Sequence, residues 1–247
     1  MFLASREMIP THNSWFAQTT PGPRLILDAE GGSRRPWRSR GGKITRPKTV
    51  TWDPKHEDVP IDDGSWETCW VHVSDFTVIE RVYEVLNSGD HPFVSVVWDS
   101  LTEIQKKCKD AISGADTVTE RQWGELLNRM EHIIRSYRDL TLPPYGTLDC
   151  VLILALSQER GSRHQMKPAV QGSIIVNLAG YFDLEGFLFI KELDDGTEVR
   201  KLRIKYHEDY EAGDRTHVLS QHYGAAITDP DVEEMLDVMD NYYEEDE

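Results

Sequence analysis

Three places in this sequence put a polar residue at the end of an apolar run, where a strand tip can do chemistry. Asp99 follows the β-prone run FVSVVW and precedes Ser100. Ligands of open α/β sheets bind at the C-terminal ends of strands. An aspartate there can hold Mg²⁺ directly or through water, with Ser100 bonded into the same shell. The plainer use of both residues is to cap the next helix. Glu30 follows LILDA and precedes Gly31-Gly32. Such a carboxylate can activate a water against a terminal phosphate, and the glycines allow a tight turn or a close ligand. Asp28, two residues earlier, shares a strand face with Glu30. The plain alternative is a polar turn. Gln158, flanked by Ser157 and Glu159, ends CVLILAL. It can sense a phosphate and relay the signal into the loop with His164, Gln165 and Lys167, although polarity at a strand end is ordinary.

The fourth feature is a basic loop over residues 33–49. Seven cations, Arg34, Arg35, Arg38, Arg40, Lys43, Arg46 and Lys48, surround Trp37 and an adjacent glycine pair. These residues can grip phosphates and stack a base; as a charge run they can equally form a solvated face. The formal charge is −16, from 27 basic and 43 acidic residues, and on that balance alone nucleic acid is repelled. The positive charge is therefore segregated. Residues 229–247 hold ten acidic groups and no Lys or Arg, a tail that can compete for the basic surface, dock a partner or aid solubility.

The elements that must position these residues alternate in type. Strands are predicted over residues 24–29, 68–73, 93–98 and 150–156, with helices over 14–20, 75–88, from about 100 to 112, and 120–140. Thr119 and Gln122 have capping-box spacing at the start of the long helix. CVLILAL is continuously apolar, as in a parallel strand buried on both faces. Residues 187–193 and 198–206 read as paired strands around Asp194-Asp195-Gly196. Residues 161–172 read as a loop, residues 174–179 as helical or extended, residues 231–240 as a short helix and residues 1–13 as no element. This order is the grammar of an α/β fold with a mostly parallel sheet and helices on both faces.

Three cysteines without a CxxC pair read as reduced thiols of a cytosolic protein. No leader and no run near 18 apolar residues is present, so no membrane span is expected. The nine histidines show no zinc spacing with cysteine.

Taken in order, LILDAEGG, VVWDSLTE, the long helix and LILALSQE resemble the AAA-type, RecA-like P-loop ATPases of phages, including single-strand annealing and recombination proteins of the Sak4-like kind. The resemblance spans about residues 14–206 and extends to Lys167–Gly172 and Tyr181–Asp183. It implies that Asp99 is the Walker B aspartate of the Mg²⁺ shell, that Glu30 positions the attacking water, and that Gln158 senses nucleotide. It also implies ATP and Mg²⁺ as cofactors, single-stranded DNA as partner, homo-oligomers, and a role in annealing or strand exchange in the host cell cytoplasm.

The departure is the P-loop. No G-x-x-x-x-G-K-S/T occurs anywhere, since Gly42-Lys43 is followed by Ile44. The RecA-like core therefore reads as incomplete at the N-terminus, without the backbone cradle and lysine for β and γ phosphates. Thr11-His12-Asn13-Ser14 resembles an intein C-terminal junction, with Ser14 in the place of the missing Walker A serine that binds nucleotide and Mg²⁺. On this reading residues 1–13 are an intein-like tail or non-native leader, residues 14–228 the ATPase core and residues 229–247 the acidic tail. The opening of the ATPase then lies on a complementing polypeptide. A misassigned start or gene fragment is the plain alternative. Two functions follow: an ATP-dependent recombination protein, incomplete by itself, or a non-catalytic DNA-binding or scaffold protein on the same fold.

Overall fold

The computed structural model describes residues 1–6, 13–32, 37–38, 44–45, 47–144, 146–161 and 164–244. The first half runs β1 (Phe2–Arg6), α1 (Asn13–Ala17), β2 (Arg24–Asp28), β3 (Trp37–Arg38), β4 (Ile44–Thr45), β5 (Thr49–Thr51), β6 (Thr68–His72), α2 (Phe76–Ser88), β7 (Ser95–Asp99), α3 (Leu101–Ser113) and α4 (Glu120–Asp139). The second half runs β8 (Cys150–Arg160), β9 (Gln165–Pro168), α5 (Ile174–Leu178), β10 (Leu184–Glu192), β11 (Glu198–Arg203), β12 (Gly213–Asp214), α6 (Val218–Tyr223), β13 (Ala226–Thr228) and α7 (Val232–Glu244).

Among the described residues, one sheet has the order β13-β11-β10-β1-β8-β7-β2-β6-β5, with β12 added to β10 and β9 to β8. The pairs from β10 through β1, β8, β7, β2 and β6 to β5 are all parallel. The β11, β12, β13 and β9 pairings are antiparallel. Crossover helices cover both faces, as parallel strands require. Leu27, Trp98 and Ile153 pack with Ile79, Ile104 and Met130 of the α2, α3 and α4 layer. Ile26, Val97 and Leu152, one residue away on each strand, pack with Phe16, Leu219 and Met235 of the α1, α6 and α7 layer. This alternation is the period-two pattern of strands buried twice.

Local chemistry sets the helix ends. Thr119 and Gln122 form the expected capping box, with the Thr119 amide donating to Gln122 Oε1 at 2.9 Å. Asp75 caps α2 by accepting from the Thr77 amide, and Gly89 ends it in the left-handed region at φ 74. Tyr137 of α4 donates its hydroxyl to the Ile79 carbonyl at 2.9 Å and meets Trp98 edge-on at 4.8 Å, joining two helices to the middle of the sheet.

Several elements depart from the sequence reading. Residues Phe2–Arg6, which the sequence leaves without an element, form a central strand between β8 and β10. Strand β8 runs four residues beyond Leu156, because β9, inside the expected loop 161–172, pairs with its polar end. The acidic end forms a 13-residue helix, longer than expected. Val232 and Met235 bury against the core, and the Val232 amide donates to Thr19 Oγ1 at 3.0 Å, just past α1.

Candidate functional site

The C-terminal edge of the parallel strands carries a row of polar residues at one level. Asp28 of β2 is in register with Asp99 of β7 on one side and with His72 of β6 on the other. Neighbouring residues in parallel register point to the same face. By alternation from Ile26 and Val97, that is the face on which α1 packs. Asp28 and Asp99 are buried, at 4% and 5% exposure, so two carboxylates stand side by side at the mouth of the sheet.

Glu30 joins them through a turn. The Gly31 amide donates to Asp28 Oδ1 at 2.7 Å, and Gly31 has φ 75, a conformation that costs glycine little. The Ala29 amide donates to the Asp99 carbonyl at 2.7 Å, which ties the start of this turn to the end of β7. Ser100 then donates its hydroxyl to Glu30 Oε1 at 2.5 Å, the length of a charge-assisted bond. Ser100 is the N-cap residue of α3, yet its side chain makes no cap hydrogen bond. For Ser100 the helix-cap alternative therefore fails: its hydroxyl serves Glu30. Glu30 itself is exposed at the rim. The structure thus gathers Glu30, Asp99 and Ser100, and adds Asp28 and His72, whose place only the strand register reveals.

Ser14 lies in the first turn of α1, and its side chain falls outside the described residues. The segment 7–12 that joins β1 to α1, where a strand–loop–helix phosphate cradle would sit, also lies outside them. Its sequence, EMIPTH, contains neither glycine nor lysine. The acidic side of the site offers oxygen donors of the type a hydrated divalent cation takes, Asp99 foremost, although its three carboxylates do not form a metal-holding group among the described residues. The phosphate side does not fit a nucleotide, because it has no lysine and no glycine to bring backbone amides close.

Gln158 stands apart from this row. The β8 residue opposite Asp99 is Leu154, whereas Gln158 is paired with Lys167 in the β8–β9 hairpin. Nearer the row, the Leu156 amide donates to Thr102 Oγ1 at 3.1 Å, linking β8 to the first turn of α3.

Of the basic loop, Trp37–Arg38 pairs with Ile44–Thr45 in a two-stranded ribbon beside α1. The side chains of Trp37 and Arg38, and all of Arg34, Arg35, Arg40, Lys43 and Arg46, lie outside the described residues. Lys48 is exposed, and its carbonyl accepts from the Glu67 amide at 2.9 Å. Among the described residues no group of three or more His, Cys, Asp and Glu side chains is arranged to hold a metal, and no helix is long and apolar enough to cross a membrane. The three cysteines are free and buried.

Strand order, parallel register and the acidic strand tips define a RecA-like P-loop NTPase fold, with β1 and α1 as the strand and helix that flank a P-loop in such a fold. The family model described as "AAA domain" matches residues 14–216, and the chain belongs to that family. Among solved structures, the crystal structure of the flagellar accessory protein FlaH from Methanocaldococcus jannaschii is similar at 6% identity and a TM-score of 0.37, over 85% of this chain and 81% of that one. No curated protein matches the chain.

Proposed function

We propose that this AAA-type domain acts with ATP and Mg²⁺ in single-stranded DNA annealing or recombination, in the host cytoplasm of a phage infection, and that it needs a phosphate-binding loop its own residues 7–13 do not supply. The observation that carries the acidic half of this reading is the Ser100–Glu30 hydrogen bond beside the Asp28–Asp99 pair. Asp99 would hold Mg²⁺ through its hydration shell. Glu30, set by Ser100 and by the turn that Asp28 pins, would orient a water toward the terminal phosphate. Ser14 would complete the Mg²⁺ shell once a G-x-x-x-x-G-K segment precedes it.

Two observations support a junction at Ser14. The family match begins at residue 14, and Thr11-His12-Asn13 before it has the form of an intein end. A complementing N-terminal polypeptide would then bring its own strand to the place that β1 fills. Homo-oligomers would follow from the family's mode of action.

The non-catalytic DNA-binding or scaffold reading draws on the composition of EMIPTH, which cannot cradle phosphates. Isothermal titration of the purified chain with ATP and Mg²⁺ separates the readings from a self-sufficient ATPase. The expected result is no binding. Tight binding would mean that another surface replaces the P-loop, and the incomplete-ATPase reading would fall.

A further inference from the structure

The β10–β11 hairpin gathers three cations on one face. Strand β10 is paired with β1 only as far as Leu188, so from Phe189 onward β11 is its ladder partner among the described residues. Phe187 is opposite Arg203, Phe189 opposite Lys201 and Lys191 opposite Val199. Strand alternation places all six on one face. On the other face Ile190 is opposite Arg200 and Glu192 is opposite Glu198. In a chain of charge −16, one face of these pairs therefore carries three cations, Lys191, Lys201 and Arg203, and no carboxylate, while the other carries Arg200 with two carboxylates.

The cationic face also carries a ring stack. Tyr210 lies on Phe187 at 4.3 Å and 23°, and on Phe189 at 6.1 Å and 8°. His207 continues the stack at 5.3 Å from Tyr210. Arg203 donates through Nε to the Lys205 carbonyl at 3.1 Å and so holds the turn from which Tyr206 projects, 68% exposed. Phe189 and Tyr210 are only partly buried, and Lys191 and Lys201 have no carboxylate partner among the described residues.

We propose that this face binds single-stranded nucleic acid, with bases stacking beside Phe189 and Tyr210, and phosphates held by Lys191 and Lys201. The chemistry selects this partner. An acidic peptide would satisfy the lysines and leave the rings unused, and a duplex keeps its bases stacked on one another. Near-parallel, partly exposed rings flanked by unpaired cations suit unstacked bases on a charged backbone. The inference rests on the nucleic-acid half of the proposed function, but it assigns a surface separate from residues 33–49.

The test is fluorescence anisotropy of a labelled oligothymidylate with the full chain over a range of salt. Replacing both lysines, Lys191→Gln with Lys201→Gln, should weaken binding about tenfold and lower the log–log salt slope by about 1.4, at roughly 0.7 per phosphate contact. Phe189→Leu keeps the apolar contact and loses the ring. It should weaken binding about fivefold at every salt with the slope unchanged, and Phe189→Tyr should restore it. If the wild-type chain does not bind, both the nucleic-acid reading and this surface fall. If it binds, the hairpin variants match it, and neutralising Arg34, Arg35, Arg38 and Arg40 abolishes binding, this surface is overturned and the reading stands. Displacement by polyglutamate as effective as by unlabelled oligonucleotide would overturn the base-stacking assignment.

Discussion

Ser100 donates to Glu30 at 2.5 Å across seventy residues of sequence, and in doing so leaves α3 without a side-chain cap. Serine at an N-cap usually accepts from the helix's own amides. Here the hydroxyl is turned to a carboxylate on the neighbouring loop. Ser100→Ala should therefore cost the fold only about 1 kcal/mol, the net worth of one hydrogen bond, because no cap is lost. In a domain given a working P-loop, the same change should lower ATP turnover about tenfold and leave nucleotide affinity unchanged. Chemical denaturation and single-turnover kinetics read the two effects. Unchanged turnover would detach Glu30 from the attacking water.

Asp99 and Glu30 should separate in their phenotypes. Asp99 is buried at the strand tip, and Glu30 sits at the rim. In the P-loop-bearing domain Asp99→Asn should abolish hydrolysis by weakening the Mg²⁺ shell, with the melting temperature kept within a few degrees. Glu30→Gln should retain Mg²⁺-ATP binding and lose hydrolysis. Calorimetry alongside phosphate release distinguishes them. Loss of binding in Glu30→Gln would make Glu30 structural.

Much of this architecture is legible in the sequence because the parallel strands are buried on both faces. LILDA, FVSVVW and CVLILAL read as strands from apolarity alone, and the capping box at Thr119 and Gln122 marks its helix without tertiary help. Strand β1 is not legible. FLASR is short and ends in Ser5 and Arg6, and only its neighbours β8 and β10 make it a strand. The polar end of β8 is hidden likewise, since its partner β9 has the composition of a loop. For the site, types and spacing single out Glu30, Asp99 and Ser100, but the level that Asp28 shares with Asp99 and His72 is a matter of register between strands far apart in sequence. Gln158 is displaced from the row because an apolar run marks where burial ends, not where strand pairing ends.

Glu185 gives the fold a pH dependence. It lies on β10 opposite Leu3, 7% exposed, and burial pushes its carboxyl up to about 8, with the nearby Glu211 adding to the rise and Lys167 opposing it. An acid held protonated in the folded state and ionised in the unfolded state takes up a proton on folding. Its stabilisation is complete below its ordinary value of 4.5 and is lost as pH rises through about 8. Across that window Glu185 should lower stability with rising pH by up to about 1.4 kcal/mol per unit. Urea denaturation across the range should show that slope in the wild type and a flatter one in Glu185→Gln. Parallel slopes would place the proton elsewhere.

The span between β1 and Ser14 has a P-loop's length without its chemistry. Strand β1 ends at Arg6, and residues 7–13 are seven positions before Ser14, the number that G-x-x-x-x-G-K occupies before its serine. The strand, the helix and the acidic row already stand in a RecA-like arrangement, so composition is what the phosphate side lacks. Glycines are needed where backbone amides must approach phosphate, and a lysine is needed for the β and γ charges. The triple change Glu7→Gly, His12→Gly and Asn13→Lys writes that pattern onto the existing length. It should create Mg²⁺-dependent ATP binding in a chain expected to have none, by calorimetry, and that binding should weaken again when Asp99→Asn is added. A triple variant that folds, judged by circular dichroism, and still binds no ATP would show that Ser14 does not stand in the Walker serine's place. The junction reading would then lose its structural support.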